Sequence, residues 1–206
     1  MSENGDMERR AYAVELRVGK DEAGPTIEGY AAVFDQWSED LGGFRERVRP
    51  GAFGGSLLAS DVRGLWNHEP MYVLGRQKAG TLKLWEDEEG LRFVARPPEA
   101  QWANDLLSSM RRGDIDQCSF GFRVIEDEWS VQNDQVRRDL VQVELFDVSV
   151  VTYPAYPQTS AQVRARVLDM TDKGLDGEGQ EDAAQAQRLE LERNKVRRLR
   201  LKILDC

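Results

Sequence analysis

The chain carries one histidine, His68, in the run Val62-Arg63-Gly64-Leu65-Trp66-Asn67-His68-Glu69-Pro70. One imidazole narrows the chemistry. A histidine-rich metal site is excluded. Any serine or cysteine mechanism must use this base, and the group that orients it cannot be a second histidine. The candidate nucleophile is Ser119, in Gln117-Cys118-Ser119-Phe120-Gly121-Phe122. Serine is a poor nucleophile at neutral pH. It needs a base within hydrogen-bond reach, and that base needs a partner to hold its tautomer and stabilise the imidazolium. Asp147, in Leu145-Phe146-Asp147-Val148-Ser149-Val150-Val151, is the candidate acid. The order His, Ser, Asp along the chain differs from the orders in chymotrypsin, subtilisin and the α/β-hydrolases.

Short strands that neighbour one another would have to position these groups. Period-two alternation places Ser119 on the face opposite Cys118 and Phe120. It places Asp147 with Ser149 and Val151, while Val148 and Val150 point the other way. An acid in so apolar a strand is costly to bury without a partner, and an imidazole would be one. Gly121 lets another backbone approach closely, so Phe120 and Gly121 are candidates for a substrate strand or an oxyanion hole. Plainer readings stand beside these. His68 suits a satisfied strand end, Ser119 a small packing site, and Asp147 an ion pair with an arginine such as Arg123. Cys118 is an alternative nucleophile, since a thiolate is intrinsically stronger, although alternation puts it on the apolar face.

The elements around these motifs read mainly as strands, in an α+β pattern. Strands are expected over 26–34, 44–49 and 62–68. A hairpin runs from 80–85 to 91–96 through Glu86-Asp87-Glu88-Glu89-Gly90. A short helix is expected over 52–58. A longer one spans 99–112, with Trp102, Leu106, Leu107 and Met110 on one face, Arg111 and Arg112 late, and Gly113 as its stop. Further strands follow over 115–125, 135–143 and 145–152. The organisation predicted is a flexible arm over 1–10, a domain over 11–162, an acidic glycine-containing linker over 163–182, and a basic helix over 183–206. In that last segment Leu189, Val196, Leu199 and Ile203 form an amphipathic stripe, as in a helix that forms against a partner.

At 206 residues and 40% hydrophobic content the chain can bury one good-sized core and still carry a tail. Its net charge of −9 argues against non-specific nucleic-acid binding as the main role. Two cysteines make no disulfide framework, which points to a reducing compartment. No segment approaches the ~18 consecutive apolar residues of a membrane span. The acidic, polar start is unlike a secretory signal, so a cytoplasmic protein is expected.

Taken together, Ile27-Glu28-Gly29-Tyr30-Ala31-Ala32-Val33-Phe34, Arg49-Pro50-Gly51-Ala52-Phe53, Trp66-Asn67-His68, Leu74-Gly75-Arg76, Gly90-Leu91, Ser119-Phe120-Gly121-Phe122 and Asp147-Val148-Ser149-Val150-Val151-Thr152-Tyr153-Pro154-Ala155 form an ordered series. This series resembles the prohead (capsid maturation) proteases of tailed phages, over roughly residues 12–162. The resemblance implies a serine endopeptidase related in fold to the herpesvirus maturation protease, a closed or partly closed β-barrel surrounded by a few helices and followed here by a helical tail. It places the family's Asn-His histidine on His68, its Ser-Phe-Gly-Phe serine on Ser119, and its acid before Val-Ser, often glutamate, on Asp147. The herpesvirus enzymes use a second histidine in that third role, which this chain lacks. The implied substrates and partners are the scaffold and the scaffold-like part of the major capsid protein, inside the assembling prohead in the host cytoplasm, with self-cleavage. No cofactor, nucleic acid or membrane is implied, and homo-oligomerisation stays open. Two rival readings are a protease-like assembly factor without activity and a small-molecule esterase, for which no Gly-x-Ser-x-Gly elbow is present.

Overall fold

In a computed structural model, which describes residues 7–12, 16–153, 163 and 165–171, the chain is mainly β. In chain order the elements are β1 (Glu8–Tyr12), β2 (Arg17–Asp21), β3 (Gly24–Val33), β4 (Phe44–Val48), α1 (Gly54–Ala59), β5 (Arg63–Trp66), β6 (Glu69–Arg76), β7 (Leu82–Glu86), β8 (Gly90–Ala95), α2 (Gln101–Arg112), β9 (Gln117–Gln132) and β10 (Gln135–Val151). None of the helices described is long and apolar enough to cross a membrane.

The spine of the larger sheet is the hairpin of β9 and β10. Its two-residue turn, Asn133-Asp134, holds both residues at positive φ (51° and 58°), as the hairpin turns that match strand twist require. Both strands run longer than alternation predicts. The strand continues through the acidic stretch Glu126-Asp127-Glu128, across a register shift opposite Leu140–Val143, and Arg138 Nε donates to Asp127 at 2.8 Å. The sheet order is β1-β9-β10-β5-β6. β4 and β5 pair in parallel with successive halves of β10.

A bulge in β10 makes the site possible. The register steps from Leu145↔Phe122 to Asp147↔Gly121, leaving Phe146 as the extra residue. A one-residue insertion reverses which face each later side chain occupies. Val143 and Leu145 lie in the core before the bulge, Val148 and Val150 after it. Asp147 and Ser149 are thereby turned to the face that Ser119 shares.

The second sheet, β2-β3-β8-β7, is wholly antiparallel and contains the expected hairpin as β7 and β8. Ile27, Ala32, Leu91 and Phe93 from this sheet meet Phe120, Phe122, Leu145 and Val148 from the other in one core. α2 adds Leu106, Leu107 and Met110, and ends at Gly113 with φ 81°, as its sequence predicts. Phe53 sets its ring edge-on to Phe120 at 5.4 Å.

Three expectations are corrected. The barrel does not close: among the described residues the strands form two open sheets, and the ends β1 and β6 of the larger one do not pair. Closure would require those edges to meet. Glu8, Arg9 and Arg10, read as the end of a loose arm, are in β1. Glu8 and Arg10 are buried because they complete an ion cluster with Glu46 and Arg138: Arg10 Nε donates to Glu46 at 2.8 Å, and Arg138 Nη1 to Glu46 and Glu8 at 2.9 and 3.0 Å. The expected domain end at 162 is followed by helix at 163 and 165–171. Its Val163 and Val167 are buried with Leu41, Phe44 and Val136. Residues 1–6 of the expected arm, 172–182 of the expected linker and the whole expected basic helix over 183–206 lie outside the described residues.

Candidate active site

His68 does not end a strand; it is the second residue of the tight turn between β5 and β6. Asn67 and His68 both take positive φ (53° and 58°), the geometry a two-residue hairpin turn requires. Asparagine tolerates that region better than most residues. The turn is tied to the end of β10. The Asn67 backbone N–H donates to the Val150 carbonyl at 2.8 Å. Asn67 Oδ1 accepts from the Thr152 N–H at 2.8 Å, and its Nδ2 donates to Thr152 Oγ1 at 3.3 Å. An imidazole on so short and so anchored a turn has little freedom to leave its partners.

Those partners come from β9 and β10. Ser119 Oγ lies 2.8 Å from His68 Nε2, and Asp147 Oδ1 lies 2.6 Å from His68 Nδ1. A carboxylate only accepts, so Nδ1 carries the proton and Nε2 is left to accept from the serine hydroxyl. All three groups are withdrawn from water: His68 is 9% exposed, Asp147 7% and Ser119 0%. Electrostatic interactions are stronger there than in solvent. Ser149 Oγ also donates to Asp147 Oδ1, at 2.6 Å. The arrangement can move a proton from Ser119 to His68 while Asp147 stabilises the charge on the imidazole.

Phe120 and Gly121 lie inside the sheet. Their backbones face Arg10 and Arg9 of β1 on one side and Val148 and Asp147 of β10 on the other. The Phe120 side chain is in the core. Gly121 does permit a close approach, but the group that approaches is the Asp147 carboxylate: a Cβ on Gly121 would collide with Oδ2. The alternative partners are placed elsewhere. Arg123 pairs with Glu144. Cys118 is fully buried in the core, and burial pushes its thiol well above the usual range, so it supplies no thiolate.

Sequence reasoning did not find the Asn67–Thr152 tie, the carboxylate-accommodating role of Gly121, or the bond from Ser149. Only Ser149 had a usable signal, its spacing of two residues from Asp147 in one strand.

A sequence model of the caudovirus prohead serine proteases matches residues 12–174 of this chain. The prohead protease of Enterobacteria phage HK97 is 29% identical over 137 residues, covering 64% of this chain and 56% of that protein. This chain thus spans little more than half the length of that relative. Among solved structures, the bacteriophage T4 capsid assembly protease aligns with a TM-score of 0.47 at 14% identity, over 72% of this chain and 98% of that one. The family match runs through the turn bearing His68 and the strands bearing Ser119 and Asp147, and reaches past the helix at 165–171, and on that extent the chain belongs to the caudovirus prohead serine protease family.

Proposed function

We propose that this protein is a serine endopeptidase of capsid maturation, with Ser119 as nucleophile, His68 as general base and acid, and Asp147 as the group that orients His68. The observation that carries the reading is the unbroken hydrogen-bonded line from Ser119 Oγ through both ring nitrogens of His68 to Asp147 Oδ1. Ser119 Oγ attacks the scissile carbonyl carbon as its proton passes to Nε2. The imidazolium then gives that proton to the leaving amine, and water repeats the sequence to release the acyl group. Family membership directs the substrate reading to scaffold or the scaffold-like part of the major capsid protein, cut inside the prohead in the host cytoplasm, with self-cleavage.

The test is co-expression with the phage's capsid protein, followed by mass analysis of the products. The native chain should shorten its substrate. Ser119→Ala and His68→Ala should each lower processing by on the order of 10³-fold or more, and the double variant should be little worse than either. Processing at a normal rate by Ser119→Ala would sink the assignment. An inactive assembly factor is the second reading; labelling by a fluorophosphonate that is lost in Ser119→Ala would exclude it.

A further inference from the structure

Ser149 has no place in the three-residue line, yet it is built into it. Its side chain is 0% exposed, so its hydroxyl cannot turn to water and must find an acceptor inside the protein. That acceptor is Asp147 Oδ1, at 2.6 Å, the same oxygen that lies 2.6 Å from His68 Nδ1. Two residues apart after the Phe146 bulge, Asp147 and Ser149 share a face of β10. In the ladder Ser149 stands directly opposite Ser119.

Resting on the function proposed above, we infer that Ser149 is a positioning residue: its hydroxyl fixes the rotation of the Asp147 carboxylate, so that Oδ1 stays aimed at Nδ1 when His68 takes the serine proton. Rotation of the carboxylate about Cβ–Cγ would break both bonds on Oδ1. Without the hydroxyl, the imidazole is the one side chain among the described residues that hydrogen-bonds this carboxylate. Gly121 leaves room for Oδ2 on the far side but supplies no side chain to lock it. The Ser149 hydroxyl is committed to Asp147 Oδ1, so its influence should fall on the chemical step and leave binding unchanged.

The experiment follows acylation of Ser119 in the full chain by a fluorophosphonate, separating the maximal rate from the half-saturating concentration. Ser149→Ala should slow the maximal rate by about 10- to 100-fold, the span of one hydrogen bond to a charged group, at an unchanged half-saturating concentration. In an Asp147→Asn background the same substitution should add less than about 3-fold, because the two residues act as one unit. A normal rate in Ser149→Ala, with Ser119→Ala unlabelled, overturns this inference and leaves the function standing. So does a loss that multiplies fully with that of Asp147→Asn, or one that merely tracks a lowered melting temperature. Labelling that survives Ser119→Ala overturns the serine-protease reading, and the role of Ser149 with it.

Discussion

At the scale of single residues, the site depends on what each position leaves out as much as on what it supplies. Gly121 is the clearest case, because the Asp147 carboxylate occupies the space a side chain there would need. Gly121→Ala should force the carboxylate aside by on the order of 1 Å and cost roughly 10²-fold in turnover, a typical penalty for misplacing a catalytic group by that distance. Steady-state cleavage beside a melting curve would check it, and an alanine variant as fast as the native chain would show that the carboxylate does not need this space. Cys118 tests the opposite kind of position. Its thiol is buried and held above the usual range, so at pH 8 it should be overwhelmingly protonated and out of reach. In a Cys206→Ser chain, iodoacetamide should modify Cys118 only as fast as the protein unfolds. Rapid alkylation of the native chain, with loss of activity, would reopen the cysteine mechanism.

Elements carry these residues into place through contacts far apart in sequence. β1 covers the edge of β9 along Cys118–Phe122, with Ala11 opposite Ser119. Its buried charges lock to β4 and β10. Burial opposes the charge on Arg10, but the Glu46 and Glu8 carboxylates outweigh that and raise its affinity for a proton. Arg10→Ala would leave two buried carboxylates sharing Arg138, and should destabilise the domain by about 3–5 kcal/mol, as breaking a buried ion cluster does. Urea unfolding would measure it, and a change below about 1 kcal/mol would mean that water enters the cluster freely. The helix at 165–171 plays a similar part at the other end. A chain ending at Gln162 loses Val163 and Val167 from the second cluster. Two buried valines contribute about 3 kcal/mol or more, so that chain should melt roughly 6–12 °C below one ending at Thr171. Equal melting temperatures would show that the helix adds nothing to the fold.

For the molecule as a whole, the packed helix bears on where self-cleavage would fall. A protease chain spares what is buried and cuts where the backbone can be drawn into an active site. The helix packed through Val167 resists such extraction, whereas the acidic, glycine-containing sequence from Asp172 to Asp182 has a single apolar residue, Leu175, to bury. Purified native protein, followed by mass spectrometry, should shorten between about residues 172 and 185, while Ser119→Ala stays full length. Equal shortening of both would assign the cut to another protease.

The sequence by itself determined which groups are available for chemistry: one imidazole, a serine alternating out of an apolar strand, and an acid in a second apolar strand. It also determined the hairpin of β7 and β8 and the helix α2 with its glycine stop, because period, capping and turn chemistry act within a few residues. The tertiary structure decided the rest, and in each case the cause is a contact between distant residues. Glu8 and Arg10 read as solvated charges until Glu46, 36 residues from Arg10, and Arg138, 130 residues from Glu8, close around them. The strand through Asp147 reads as a simple alternation, in which Leu145 and Asp147 share a face. Only the register against β9 shows that Phe146 is bulged out, so that Leu145 stays in the core while Asp147 turns to meet His68. The extra residue has no signature of its own; it is imposed by what lies across the ladder.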